Sequence, residues 1–216
     1  MASEAAFPGL GALIGLIQQK YVMRLLGALL AGPSGFNELR RAVKSGSPNT
    51  IAARLSELER FGLIRKTVLS LQPPRNQYEM TEAGLAFRAP MFALRAWAHS
   101  HLSAVAAQAQ EPFDVDATVF DLVQEKWTVP LVRALLAGPA GFNELSRALG
   151  TTSASLIASR LERLERLKVV EKTVLSVQPP RHRYALTPAG RQLQQVFAAL
   201  QDWAQIHLPA SRLYNA

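Results

Sequence analysis

Ser47-Pro48-Asn49-Thr50-Ile51-Ala52-Ala53-Arg54-Leu55-Ser56-Glu57-Leu58 is the stretch that decides the fold, together with Leu63-Ile64-Arg65-Lys66-Thr67-Val68-Leu69 just beyond Gly62. Ser47 offers an N-cap hydroxyl, and Pro48 stands at the first helical position, where a missing N–H is no loss. Ile51, Leu55 and Leu58 recur at i, i+4 and i+7, which predicts one buried stripe on a helix reaching about Gly62. The pattern then becomes rich in β-branched residues, is broken by Gln72-Pro73-Pro74-Arg75, and resumes at Gln77-Tyr78-Glu79-Met80-Thr81. That reads as a β-hairpin with a stiff, basic tip.

Working outward, Leu13, Ile14, Leu16 and Ile17, then Leu25, Leu26, Leu29 and Leu30, predict two helices ending at Gly32-Pro33. A short third helix starts at Gly35-Phe36-Asn37, buries Phe36, Leu39 and Val43, and stops before Ser45-Gly46. A last helix from about Glu82 to Leu102 carries Phe87, Met91, Leu94 and Trp97, with Pro90 expected to kink it. Four helices, a hairpin and a helix, with the fourth helix capped, form the pattern of a winged helix-turn-helix. In that arrangement the capped helix enters the major groove and the hairpin lies beside it.

The pattern occurs twice. Residues 11–102 recur at 117–208 with a constant offset of 106, no gap and 44 identical pairs in 92 positions. Each copy is long enough to build its own core, so the pair is not a solenoid. The expected fold class is mainly α with small β-hairpins (α+β), as two tandem winged helix-turn-helix domains. The expected boundaries are a first domain at 1–102, a linker at 103–116, a second domain at 117–208 and a C-terminal tail at 209–216. Fully extended, the linker reaches about 45–50 Å; its Ala-rich start can prolong the last helix, and Pro112 should stop it.

Composition narrows the function. The chain has 216 residues, 49% of them hydrophobic, and no cysteine, so it is expected to be globular without disulfides, thiolate catalysis or cysteine-ligated zinc. The apolar run Leu10–Ile17 follows Glu4 rather than a basic residue and is too short to cross a bilayer. It reads as a core helix of a cytoplasmic protein with no membrane partner. The net charge of +8 resides in the repeats, which carry +7 and +4, while the residues outside them carry −3. An anionic partner is implied, with double-stranded DNA first.

The runs Glu125-Lys126-Trp127-Thr128, Leu136-Ala137-Gly138-Pro139, Phe142-Asn143-Glu144-Leu145, Arg160-Leu161 with Leu164-Glu165, and Pro179-Pro180-Arg181 with Tyr184, Thr187 and Gly190 resemble the HxlR family. These are winged helix-turn-helix transcriptional regulators related to the MarR group. The first copy matches through Phe36-Asn37-Glu38-Leu39, Ser47-Pro48, Arg54-Leu55, Pro73-Pro74-Arg75, Tyr78, Thr81 and Gly84. The resemblance implies a DNA-binding repressor or activator, usually dimerised through its first and last helices. Two departures stand out. The cysteine that members commonly hold near the first helix is absent, so thiol sensing is excluded, and both halves lie on one chain, which suggests an intramolecular pseudo-dimer. A homodimer with four heads stays open.

Thr50, Ala53, Arg54 and Glu57 are expected to face away from the buried stripe, as are Leu156, Ser159, Arg160 and Arg163 in the second copy, with Arg166 a turn on. The candidate DNA-binding residues are Ser47, Asn49, Thr50, Arg54, Arg75 and Gln77 in the first copy. Ser153, Ser155, Ser159, Arg160, Arg163, Arg181 and Arg183 are their counterparts in the second. The outward positions differ between copies (Pro48/Ala154, Asn49/Ser155, Thr50/Leu156, Ala53/Ser159, Glu57/Arg163), whereas Ile51/Ile157, Leu55/Leu161 and Leu58/Leu164 are unchanged. The operator is therefore expected to be asymmetric or an imperfect palindrome. One copy reduced to scaffolding or phosphate grip is the competing view.

Trp97, Trp203, Tyr21 and Trp127 read as core or as packing between halves, and Arg54 and Arg160 as partly structural, with acids nearby on their helices. His99 and His101, at i and i+2, point to different faces and do not make a metal site; His182 sits at the second hairpin tip. No cofactor is called for, and neither a nucleophile elbow nor a phosphate-cradling loop is present, so an enzyme is not expected. Two alternatives remain: a protein-interaction winged helix, and a regulator gated by a small-molecule effector between the last helices.

Overall fold

The computed structural model describes residues 8–44, 46–71, 74–108, 114–150, 153–178 and 180–208. In the first copy α1 (Pro8–Ile17), α2 (Val22–Leu30), β1 (Ser34–Gly35), α3 (Phe36–Ala42), α4 (Pro48–Arg60), β2 (Ile64–Leu71), β3 (Pro74–Met80), α5 (Glu82–Ala86) and α6 (Arg88–Gln108) follow one another. The second copy repeats them as α7 (Val115–Gln124), α8 (Thr128–Leu136), β4 (Ala140–Gly141), α9 (Phe142–Leu149), α10 (Ala154–Arg166), β5 (Val170–Val177), β6 (Pro180–Leu186) and α11 (Pro188–His207). This is a mainly helical chain with two small antiparallel sheets, in strand orders β1-β3-β2 and β4-β6-β5.

Helix α4 forms for the reason its sequence predicts. Ser47 Oγ accepts from Thr50 N at 3.1 Å with Pro48 at the first helical position, and Ile51, Leu55 and Leu58 are fully buried. Each such side chain contributes about 1.5–3 kcal/mol of burial. In both hairpins the register slips one residue near the tip, between Val68 and Ser70 and between Val174 and Ser176. Missing from the sequence reading is the third strand. Two residues, Ser34 and Gly35, pair with Tyr78 and Gln77, too short a run to show a period. Gly35 N also donates to Glu38 Oε2 at 2.8 Å, closing the entry to α3.

Some expectations are corrected. The helix predicted over 82–102 is two: it breaks at Phe87, and the second piece runs on to Gln108. Pro90 therefore lies in the first turn of α6, where no backbone N–H partner is required, and kinks nothing. The second copy has Val196 at that place and forms the uninterrupted helix α11. Phe36 and Trp127 are half-buried rather than core, while Leu39, Val43 and Tyr21 are buried. The helical start of the expected 103–116 linker is the end of α6; Pro112, the tail at 209–216 and the tip residues Gln72, Pro73 and Pro179 lie outside the described residues.

The chain divides into two compact units, residues 1–92 with 198–216 and residues 93–197, so each unit draws on both repeats. In the first unit Trp203 donates its indole N–H to the Ala83 carbonyl at 2.8 Å and meets Phe87 edge-on at 5.0 Å. In the second, Trp97 donates to the Ala189 carbonyl at 2.8 Å, and His101 Nε2 is 3.0 Å from the Leu167 carbonyl oxygen. No single described helix is long and apolar enough to cross a membrane; α1 and α2 pass such a test only as a pair bent by 89°, and both are largely buried.

Candidate nucleic-acid interface

Helices α4 and α10 each advance about 100° per residue, so a stripe at 51, 55 and 58 places 49, 53, 56 and 60 opposite it. Those positions are exposed: Asn49, Ala53, Ser56 and Arg60, with Ser155, Ser159, Glu162 and Arg166 in the second copy. The face expected from sequence is rotated off this line. Thr50, Arg54 and Glu57, like Leu156, Arg160 and Arg163, lie half-buried on one flank. Ser56 and Glu162, which are not among the residues expected from sequence, stand on this outer face, and the angle each makes with the buried stripe is the signal that marks them.

The flank cations are held by the protein. Arg54 Nη1 donates to Glu57 Oε2 at 2.9 Å, and Gln19 Nε2 donates to Glu57 Oε1 at 3.2 Å. In the second copy Glu125, at the end of α7, takes the place of Gln19. It binds Arg163 Nη1 at 2.7 Å through Oε1. Arg160 Nε directs its hydrogen bond to the Lys126 carbonyl at 3.3 Å and meets Glu125 Oε2 as a charge pair at 3.4 Å, without hydrogen-bond geometry. Side-chain exposures of 25% for Arg54, 21% for Arg160 and 33% for Arg163 leave each guanidinium only partly accessible.

The helix starts are equipped differently. Ser47 is committed to its cap and to a 2.8 Å hydroxyl contact with Thr50, although it is exposed. Ser153 occupies the equivalent place without a side-chain cap bond. Asn49, Ser155 and Ser159 are exposed and extend the polar edge.

Each hairpin carries a cation beside its own tip. Arg75 and Arg181 are exposed in the strands just after the tips, paired in register with Ser70 and Ser176. Gln77 is half-buried opposite Gly35, whereas Arg183 is exposed and donates to the Pro139 carbonyl at 3.3 Å. The wings also expose Val68, Leu69 and Leu71, and Val174, Leu175 and Val177. Burial raises the Tyr78 and Tyr184 phenols, with Glu59 and Glu165 adding to it, so both stay neutral. Among the described residues no three His, Cys, Asp or Glu side chains gather as a metal site.

A model of the HxlR-like helix-turn-helix family matches residues 16–106 and again 122–212. Over 87 residues the chain is 36% identical to YtfH of Escherichia coli (strain K12), described as an uncharacterized HTH-type transcriptional regulator, covering 40% of this chain and 69% of that protein. It is 34% identical over 87 residues to the HTH-type transcriptional regulator YodB of Bacillus subtilis (strain 168), covering 40% and 78%. The solved reduced form of YodB from B. subtilis is 31% identical, covering 45% of this chain and 96% of that one, with a TM-score of 0.40.

Proposed function

We propose, from the premise that this chain belongs to the HxlR-like helix-turn-helix family of transcriptional regulators, that it binds double-stranded DNA sequence-specifically as an intramolecular pseudo-dimer. Its two winged-helix heads read an asymmetric or imperfectly palindromic operator, in the compartment that holds the DNA. The observation that carries this reading is the correspondence between α4 and α10: their buried stripes are identical, while Asn49, Ala53 and Ser56 face out where the second copy has Ser155, Ser159 and Glu162.

The physical argument runs through packing and charge. Identical stripes keep two reading helices seated in the same way on two cores, and differing outer faces offer the groove different donors and acceptors. Small residues at Ala52, Ala53, Ala158 and Ser159 let the backbone approach base edges closely, and the exposure of Arg75 and Arg181 supports a role for both at phosphates. Exchange supports the pseudo-dimer: with Trp203 completing the first unit and Trp97 the second, one chain supplies the helices that two copies of a single-domain regulator would otherwise lend each other.

Selection of bound sequences from random duplex DNA, followed by mass measurement of the complex, tests the proposal. One chain on a site with two unlike halves is the expected result. A perfect palindrome would remove the asymmetry, and two chains per site would remove the pseudo-dimer.

A further inference from the structure

The outer faces of α4 and α10 differ most at their centres, where Ser56 in the first copy is replaced by Glu162 in the second, both exposed. A carboxylate on a helix that approaches phosphates is repelled unless something neutralises it or donates to it. On α10 two of the neighbouring cations, Arg160 and Arg163, are engaged elsewhere. Glu125 holds Arg163 at 2.7 Å and Arg160 at 3.4 Å on the inner flank. Arg166, one turn on, forms no ion pair among the described residues, and Glu162 has no ion-pair partner among them either. In the first copy the acid is on the flank instead: Glu57 stands where Arg163 would be, bound to Arg54 at 2.9 Å, and the outer face carries an uncharged hydroxyl. Between the copies the acid stands at different places, on the flank at Glu57 and at the centre of the outer face at Glu162, where it lies outside the ion pairs of the described residues.

Resting on the duplex-binding reading above, we propose that Glu162 is a specificity-determining residue of the second head, accepting a hydrogen bond from the exocyclic amino group of a cytosine in the major groove. A carboxylate only accepts. Guanine presents acceptors at N7 and O6 and thymine an acceptor at O4, so both repel it; adenine sets its amino donor beside the N7 acceptor; cytosine offers the N4 amino group alone. Ser56, which both donates and accepts, imposes no such choice on the first head.

The test is selection from random duplex DNA by the full chain and by Glu162→Ser, Glu162→Gln and Ser56→Glu variants, each checked for folding by circular dichroism. The unaltered chain is expected to enrich cytosine at one position of one half-site. Glu162→Ser should lose that enrichment and bind the selected site about tenfold more weakly. Glu162→Gln should shift the preference to adenine, whose N6 and N7 pair with an amide, and Ser56→Glu should bring cytosine into the other half-site. Base frequencies unchanged at every position in both Glu162 variants overturn the assignment. An unaltered chain that enriches no sequence overturns duplex reading itself, a result distinct from the failure of Glu162 alone.

Discussion

Trp203 in the second repeat donates its indole N–H to the carbonyl oxygen of Ala83 in the first at 2.8 Å, and Trp97 does the same with Ala189. The two bonds are equivalent under the offset that relates the repeats, so each compact unit is closed by a tryptophan from the other copy. Trp203 is 4% exposed and packs edge-on against Phe87. Trp203→Ala is expected to cost about 3–5 kcal/mol. Trp203→Phe keeps most of the apolar area and should cost about 0.5–1.5 kcal/mol for the lost hydrogen bond, because Phe87 N still donates to the Ala83 carbonyl at 3.1 Å. Urea unfolding of the three proteins checks both values; coincident midpoints would show that the tryptophan does not close the unit.

Gly84 and Gly190 are fixed by close approach. A Cβ at Gly84 would collide with the Leu63 carbonyl oxygen, and one at Gly190 with the Val169 carbonyl oxygen. Those oxygens accept from Thr81 N and Thr187 N at 3.1 Å, so the strands cannot retreat without losing the joint between hairpin and helix. Gly84→Ala and Gly190→Ala should each destabilise by about 2–3 kcal/mol through overpacking against backbone. Thermal unfolding reads the effect, and an unshifted midpoint in either variant would mean the joint yields more easily than backbone contact implies.

Most of the fold is legible in the sequence because its signals are local. A hydroxyl before a proline opens α4, a spacing of four and three buries its stripe, and a run of β-branched residues marks the wing. The two-residue strand at Ser34 and Gly35 carries no period, and the break at Phe87 depends on how α5 packs, so neither could be read in advance. At the site, the residue types were legible and their directions were not. Arg54, Arg160 and Arg163 looked like reading residues, yet acids on their own or a neighbouring helix hold them on the flank. The exchange of Trp97 and Trp203 is a long-range choice between equivalent partners, and a duplicated sequence is silent about which copy each helix joins.

The copies also supply a backbone experiment. Lys44 adopts φ 59° where its counterpart Gly150 has φ 61°, and Lys168 adopts φ 56° where Gly62 has φ 71°. Left-handed backbone costs a residue with a Cβ about 1–2 kcal/mol, and glycine gives back part of that gain in unfolded-chain entropy. Lys44→Gly and Lys168→Gly should therefore each stabilise by about 0.5–1 kcal/mol, and Gly62→Lys should destabilise by a similar amount. Denaturant midpoints test the signs; two destabilising Lys→Gly variants would show that the lysine side chains contribute more than their backbone strain costs.

Asp116 links the start of α7 to α6 within the second unit. Partial burial alone would raise its carboxyl, but hydrogen bonds from Arg95 at 2.8 and 3.1 Å, with His99 at 3.2 Å, outweigh burial and hold it below its ordinary 3.8. A carboxylate lowered by folding adds stability above its ordinary value, and that contribution is lost as pH falls through the folded value. Asp116→Asn should therefore be less stable than the parent at pH 7, with the gap closing below pH 3.8. Side-chain exposure of 38% means solvent screens the pair, so the gap should be small and shrink with added salt. Melting curves across pH decide it: a gap that persists in acid would assign the loss to packing rather than charge.

Arg75 and Arg181 face solvent beside the wing tips, and neither forms an ion pair among the described residues, in contrast to the arginines tied down on α4 and α10. Free cations at a fixed place displace counterions from a duplex without reading its sequence. Replacing either by Ala should weaken binding to every duplex alike and reduce the slope of log affinity against log salt by about 1 per lost phosphate contact. Changing both should reduce it by about 2, because sites on separate wings act independently. Fluorescence anisotropy over a range of salt concentrations, on a selected site and on an unrelated duplex, separates the outcomes. A slope that stays put in the double variant would take the wings off the phosphate backbone, and a loss confined to the selected site would make them readers of bases.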